Sequence, residues 1–144
     1  MRFMMIVKAN KDSEAGKMPS AELFAAMGKY NEELLKAGVL VDLSGLQPTS
    51  KGARIKFSKG KKTIIDGPFA ETKELIGGYW IINVKSREEA LEWAKRAPAP
   101  FGEMEDGEIE LRQFYELEDF APSEAVDRAK EQCAELAKTK KQAK

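Results

Sequence analysis

The order of strand and helix signals predicts an α+β fold on the split βαβ, ferredoxin-like plan, with an inserted hairpin and an added C-terminal helix. Three observations carry this expectation. Two strand-like runs, residues 2–8 and 79–84, are apolar on both faces. The first is followed by a segment with apolar residues at helical spacing, and the second by a capping box that starts a helix. Between the two halves, a Lys59-Gly60-Lys61 turn separates two short strand-like segments. The order is therefore β-α-β, a hairpin, β-α-β and a tail.

In the first strand, Phe3, Met5 and Val7 fall on one face and Met4 and Ile6 on the other. The polar residues 10–18 predict a loop. Pro19-Ser20 opens a helix with Ser20 as its N-cap, and Leu23, Met27, Tyr30 and Leu34 recur at helical spacing down to Gly38, a suitable residue just past the end. A strand follows through Val39, Leu40 and Val41. In the hairpin, Ile55 and Phe57 are expected inward and Arg54 and Lys56 outward, with Thr63, Ile64 and Ile65 returning. Gly77-Gly78 introduces the run at 79–84, which should lie centrally in a covered sheet. Ser86 with Glu89 forms a capping box for a helix that Pro98 stops. Ile109 and Leu111 mark the last strand. Residues 1–120 are expected to form the domain, and residues 121–144 a C-terminal helix and basic tail. Val126, Ala129, Cys133 and Leu136 make a narrow apolar seam in that helix, so Cys133 is expected to pack, and residues 138–144 are expected to fray.

This plan has a consequence for assembly. Helices cover one sheet face, while Met4 with Ile6, or Trp80 with Ile82, are expected to point to the other. An apolar face of that size predicts a homodimer joined through sheet faces.

Composition narrows the chemistry. The 144 residues carry 24 basic and 24 acidic side chains, so the formal net charge is zero, which argues against a global grip on nucleic acid or an anionic membrane. Neither is expected as a partner. One cysteine and no run long enough to span a bilayer point to a reducing, cytoplasmic setting. Histidine is absent, which removes the commonest general base and the usual metal ligand. No metal site and no cofactor are expected. Lys51, Arg54, Lys56, Lys59, Lys61 and Lys62 make the hairpin basic, with no acid between Ser50 and Ile65. Outward lysines that keep a hairpin soluble explain this better than a nucleic-acid contact, because no outward aromatic is interleaved to stack a base. Glu103, Glu105, Asp106, Glu108 and Glu110 cluster without calcium-loop spacing, as in an exposed loop.

The most informative segment is Asp66-Gly67-Pro68-Phe69-Ala70-Glu71-Thr72-Lys73-Glu74. Gly67 supplies backbone freedom and Pro68 stops the hairpin strand. Asp66 can accept from backbone N–H groups of the turn, and Phe69 can anchor the loop in the core. With Gly45-Leu46-Gln47-Pro48-Thr49-Ser50-Lys51-Gly52-Ala53, Gly77-Gly78-Tyr79-Trp80 and Arg112-Gln113-Phe114-Tyr115-Glu116-Leu117-Glu118-Asp119-Phe120, this segment resembles the YCII-related family, specifically its DGPF-domain branch. The resemblance implies a ferredoxin-like unit that dimerises through its sheets into a dimeric α/β barrel. Some relatives look like small enzymes with a His–Asp pair between the first helix and the sheet, and one branch acts as a dehydrochlorinase. Met27 falls near that histidine position, so the dyad is missing. The resemblance also implies that some DGPF members are linked by domain fusion to extracytoplasmic-function sigma factors.

A pocket is expected between the first helix and the sheet, near Asp66. Asp66 is the candidate catalytic carboxylate, although its first service is to the turn. Candidate ligand-binding residues are Tyr30, Gln47, Phe69, Glu71, Lys73, Glu74, Trp80 and Arg112, with Lys73 or Arg112 able to steady an anion. Tyr30 also suits the core, and Glu71, Lys73 and Glu74 also suit a solvated loop. Whether the protein is an enzyme stays open at this level. The missing histidine favours a dimeric small-molecule-binding or regulatory module. The alternative is a small cofactor-free enzyme, lyase-like or dehydrochlorinase-like, acting on an aromatic or carbonyl compound with a carboxylate base. A closed pocket around a desolvated Asp66 would favour the enzyme.

Overall fold

The computed structural model describes residues 1–143. The chain is mixed α+β, with antiparallel sheets and four helices among the described residues. It divides into two compact units, Met1–Gln113 and a second that begins at Phe114.

The first unit runs β1 (Arg2–Lys8), α1 (Lys11–Glu14), α2 (Ala21–Lys36), β2 (Leu40–Gly45), β3 (Ala53–Ser58), β4 (Lys61–Asp66), β5 (Ile76–Asn83), α3 (Arg87–Arg96) and β6 (Ile109–Gln113). The expected loop at 10–18 contains α1. Asn10 caps this turn by accepting from the Ser13 N–H at 2.8 Å, while Ser13 Oγ accepts from the Asn10 N–H at 2.9 Å. Ser20 caps α2 as its position predicts, accepting from the Leu23 N–H at 3.1 Å. Gly38 follows that helix at φ +71°, a conformation costly for any side chain with a Cβ. Ser86 caps α3, but the Glu89 carboxylate reaches the Lys85 N–H instead of closing the box on Ser86.

Four strands form one antiparallel sheet in the order β2-β5-β1-β6. β1 pairs Phe3 with Ile82 and Met5 with Trp80, and directly paired residues share a sheet face. Trp80 and Ile82 therefore lie with Phe3 and Met5 against the helices, not on the opposite face as expected. A near-continuous apolar strand carries no parity signal, so only its partner's register decides which side chains turn inward. Met4, Ile6, Tyr79 and Ile81 occupy the other face.

The core joins these strands to Tyr30 and Leu34 of α2 and to Ala90 and Trp93 of α3. Phe3, Met5, Leu34 and Ile82 are fully buried, each contributing about 1.5–3 kcal/mol of transfer free energy. Tyr30 is the polar centre of this cluster. Its hydroxyl donates to the Trp93 carbonyl at 2.6 Å, and its ring meets Trp80 edge-on, with centroids 5.5 Å apart. The Trp80 indole N–H donates to Asn31 Oδ1 at 2.7 Å. Burial pushes the Tyr30 phenol up to about 12; Arg96 opposes the shift and Glu33 reinforces it.

β3 and β4 form a sheet of their own. Ile55 and Phe57, expected inward, are 52% and 71% exposed, as is Ile64 at 71%. Alternation reveals which residues share a face but not whether that face finds a cover. Lys59 (φ 48°) and Gly60 (φ 78°) make the tight turn between Ser58 and Lys61.

In the second unit, α4 spans Glu124–Gln142, with the Ser123 hydroxyl accepting from the Val126 N–H. The expected fraying from Lys138 is not observed through Gln142, because lysine, alanine and glutamine are good helix formers; Lys144 lies outside the described residues. Cys133 is exposed and not packed, because its seam of Val126, Ala129 and Leu136 stays partly or wholly open to solvent.

The Tyr30 bond gives a pH-dependent test. A phenol whose pKa is raised by folding stabilises the protein fully below pH 10, and that contribution is lost as pH rises towards 12. Tyr30→Phe leaves the Trp93 carbonyl without its donor, so urea unfolding at pH 7 should show a loss of about 1–3 kcal/mol. Between pH 10 and 12 the variant should lose less stability than the parent, by on the order of 2 kcal/mol. Parallel pH profiles would refute the assignment.

Candidate functional site

The segment after β4 is held by close backbone approach. The Gly67 N–H donates to the Gly52 carbonyl at 3.0 Å. A Cβ on Gly67 would stand 1.7 Å from the Thr49 carbonyl oxygen, so no larger residue fits without moving backbone. Contact, more than backbone freedom, is what requires glycine there. The next peptide bond, Gly67–Pro68, is cis.

Thr49 then links three segments. Its backbone N–H donates to Glu14 Oε1 at 3.2 Å, and its hydroxyl donates to Glu14 Oε2. The same hydroxyl accepts from the Phe69 N–H at 3.1 Å. A half-buried carboxylate on α1 thus orients the threonine that positions Phe69. Across the hairpin root, the Arg54 guanidinium stacks over the Phe69 ring, 3.8 Å from its centroid.

These contacts border an open cleft of about 350 Å³ between the end of β2, the root of the hairpin and the start of β5. Leu46, Phe69, Leu75 and Ile76 supply apolar wall, and Gln47, Thr49, Arg54 and Glu74 supply polar groups. Arg54 has no ion-pair partner among the described residues. Such a cleft can receive a small organic molecule, with the guanidinium available to a carboxylate.

The structure brings together three of the candidate residues, Gln47, Phe69 and Glu74. Tyr30 and Trp80 are buried core residues at the interface of α2 with the sheet, where a pocket was expected. Glu71 and Lys73 are exposed and outside the cleft lining. Arg112 is exposed on β6, opposite Met4. Asp66 ends β4 paired with Ala53, exposed and also outside the lining. No side-chain hydrogen bond ties Asp66 to the turn among the described residues; the Gly67 N–H and Thr49 hydroxyl make the turn contacts instead. Arg54, Thr49 and Glu14 were missed. Arg54 reads in sequence as one more solvated base, and the Thr49 contacts bridge 35 and 20 residues.

Fold and cleft together describe a small antiparallel α+β protein with an open cleft at a hairpin root. The chain belongs to the YCII-related family, whose domain model matches residues 1–118. It is similar to an uncharacterised protein of Rhizobium meliloti (strain 1021), 40% identical over 74 residues, which is 51% of this chain and 56% of that protein. The chain thus spans little more than half the length of that relative.

Gly67→Ala should cost about 1–3 kcal/mol by forcing the Thr49 carbonyl aside. Hydrogen exchange should quicken at residues 49–69, while amides of β1 and β5 stay protected. Thr49→Val, which keeps the shape but removes the hydroxyl, should reproduce the effect at about 1–2 kcal/mol. Unchanged exchange in both variants would show that these contacts do not hold the segment.

Proposed function

We propose that this protein is a small-molecule-binding or regulatory module of the DGPF branch, acting without catalysis and without a cofactor, as a cytoplasmic homodimer. The observation that carries the reading is the Arg54 guanidinium, stacked on Phe69 at the edge of a partly apolar cleft and lacking an ion-pair partner among the described residues. Stacking fixes the guanidinium plane and leaves its N–H edge available for a bidentate carboxylate. Glu74 in the same cleft disfavours polyanions. The ligand is then a small monocarboxylate with an aromatic or branched apolar body, matched to Leu46, Phe69, Leu75 and Ile76.

The DGPF residues serve this reading as scaffold. Gly67 allows the close approach, and Phe69 supplies the stacking surface. The strand order β2-β5-β1-β6 with α2 and α3 against one face supports the ferredoxin-like plan. Met4, Tyr79 and Ile81, half-buried on the other face beside Glu110 and Arg112, support pairing through sheets. The carboxylate-base enzyme has less support, since Asp66 is exposed and outside the cleft lining.

A panel of aromatic and aliphatic monocarboxylates, screened by ligand-observed NMR, should contain binders. Arg54→Ala should weaken the best of them by at least about tenfold, the loss expected for a charge-assisted contact. Asp66→Asn should bind it almost unchanged. The reading fails if Asp66→Asn abolishes binding or turnover with stability intact, or if Arg54→Ala binds normally.

A further inference from the structure

The β3–β4 hairpin is a two-stranded sheet with no strand of the main sheet paired to it. Isolated hairpins of this kind are marginal in water. Its two faces differ in kind. The register sets Ile55 opposite Ile64 and Phe57 opposite Lys62 on one face, and Arg54 and Lys56 on the other. The first face is apolar and largely uncovered, with Phe57 and Ile64 each 71% exposed. The basic residues Lys59, Lys61 and Lys62 lie at the tip. An uncovered apolar face with bases at its tip and Asp66 at its root has the composition of an interface core with a polar rim.

The chain itself supplies the matching charge. The segment from Glu103 to Glu110 has five acids and no base, against six bases and no acid from Lys51 to Lys62. Glu103, Glu105, Asp106 and Glu108 are exposed, and Met104 among them is 97% exposed. No ion pair joins the two segments among the described residues; Glu110 pairs instead with Lys8 at 3.9 Å. Opposite charges are thus segregated on one neutral chain without meeting within it. We propose that the hairpin is an arm that docks on a second copy of this chain, with its apolar face covered by the partner and its basic tip against the partner's acidic segment. By two-fold symmetry each copy gives one arm and receives one. The arm's root, with Ala53 and Arg54, forms part of the cleft lining. The inference rests on the homodimer of the preceding reading and adds a second contact to it.

Sedimentation velocity on the full chain tests it. Phe57→Ser with Ile64→Ser should raise the dimer Kd by about 100-fold, since both are exposed in the single chain and central in the docked arm. Two charge-reversed sets make the sharper measurement. Lys59→Glu/Lys61→Glu/Lys62→Glu places acid against acid in its own dimer, and Glu103→Lys/Glu105→Lys/Asp106→Lys places base against base. Each should weaken self-association by at least about tenfold. Mixed together they should form a one-to-one heterodimer, because both arm contacts are then complementary. A parent dimer indifferent to all these changes overturns the arm and leaves sheet-face pairing standing. A parent that stays monomeric at tens of micromolar overturns both. Salt-sensitive binding of the unmodified monomer to an oligonucleotide, abolished by the lysine reversals, would assign the arm to nucleic acid and also overturn the inference.

Discussion

The hydroxyl of Tyr30 organises the first unit. Its bond to the Trp93 carbonyl joins α2 to α3, while its ring against Trp80 fixes both helices to β5. A phenylalanine could fill the volume but could not pair the carbonyl, and a buried unpaired carbonyl costs more than one hydrogen bond ordinarily contributes. Trp80 has its own donor satisfied by Asn31, one residue along the same helix. The aromatic cluster therefore sets where α2 lies on the sheet as well as filling space beneath it. The same packing buries Tyr30 and Trp80 beneath α2, while the cleft described above lies at the hairpin root.

At the hairpin root the controlling contacts are small. Thr49 accepts, donates and stands within contact distance of Gly67, so a single residue couples α1, the end of β2 and the segment after β4. A motif rich in charge and turn residues suggests chemistry at its acid. Here the motif's glycine and aromatic shape the cleft, and its aspartate faces solvent. The charged side chain at the cleft is Arg54, which lies over the Phe69 ring, and in the proposed function it takes the place expected of Asp66.

What could be read from sequence divides along the range of the interactions. Ser20, Gly38 and Ser86 mark helix boundaries because a cap is satisfied within three or four residues. The Lys59-Gly60 turn is equally local. Phe69, Gln47 and Glu74 were legible because they sit in or beside segments dense in turn chemistry. Arg54 and Thr49 were not, because their partners are brought near by topology and not by spacing. The faces of Trp80 and Phe57 failed for two separate reasons. Trp80 lies in a strand apolar on both sides, where parity is undefined until β1 pairs with it. Phe57 alternates correctly, but its strand pairs only with β4, so a correct face finds no core.

The zero net charge hides the last of these features. A neutral total reads as an absence of electrostatic purpose, yet six of the 24 bases sit together without an acid at residues 51–62, and five of the 24 acids without a base at residues 103–110. Net charge governs solubility and long-range steering, whereas recognition depends on where each sign sits. In the proposed docking, lysines that keep the arm soluble on its own would also supply its rim, because they would then face carboxylates. That double use would account for an exposed hairpin that keeps Ile55, Phe57 and Ile64 on one face without a covering helix of its own. A strand edge with that much apolar surface is otherwise an aggregation hazard, and charge at its tip is the usual safeguard. The hairpin combines both properties within a few residues, and its root carries the guanidinium on which the proposed ligand depends.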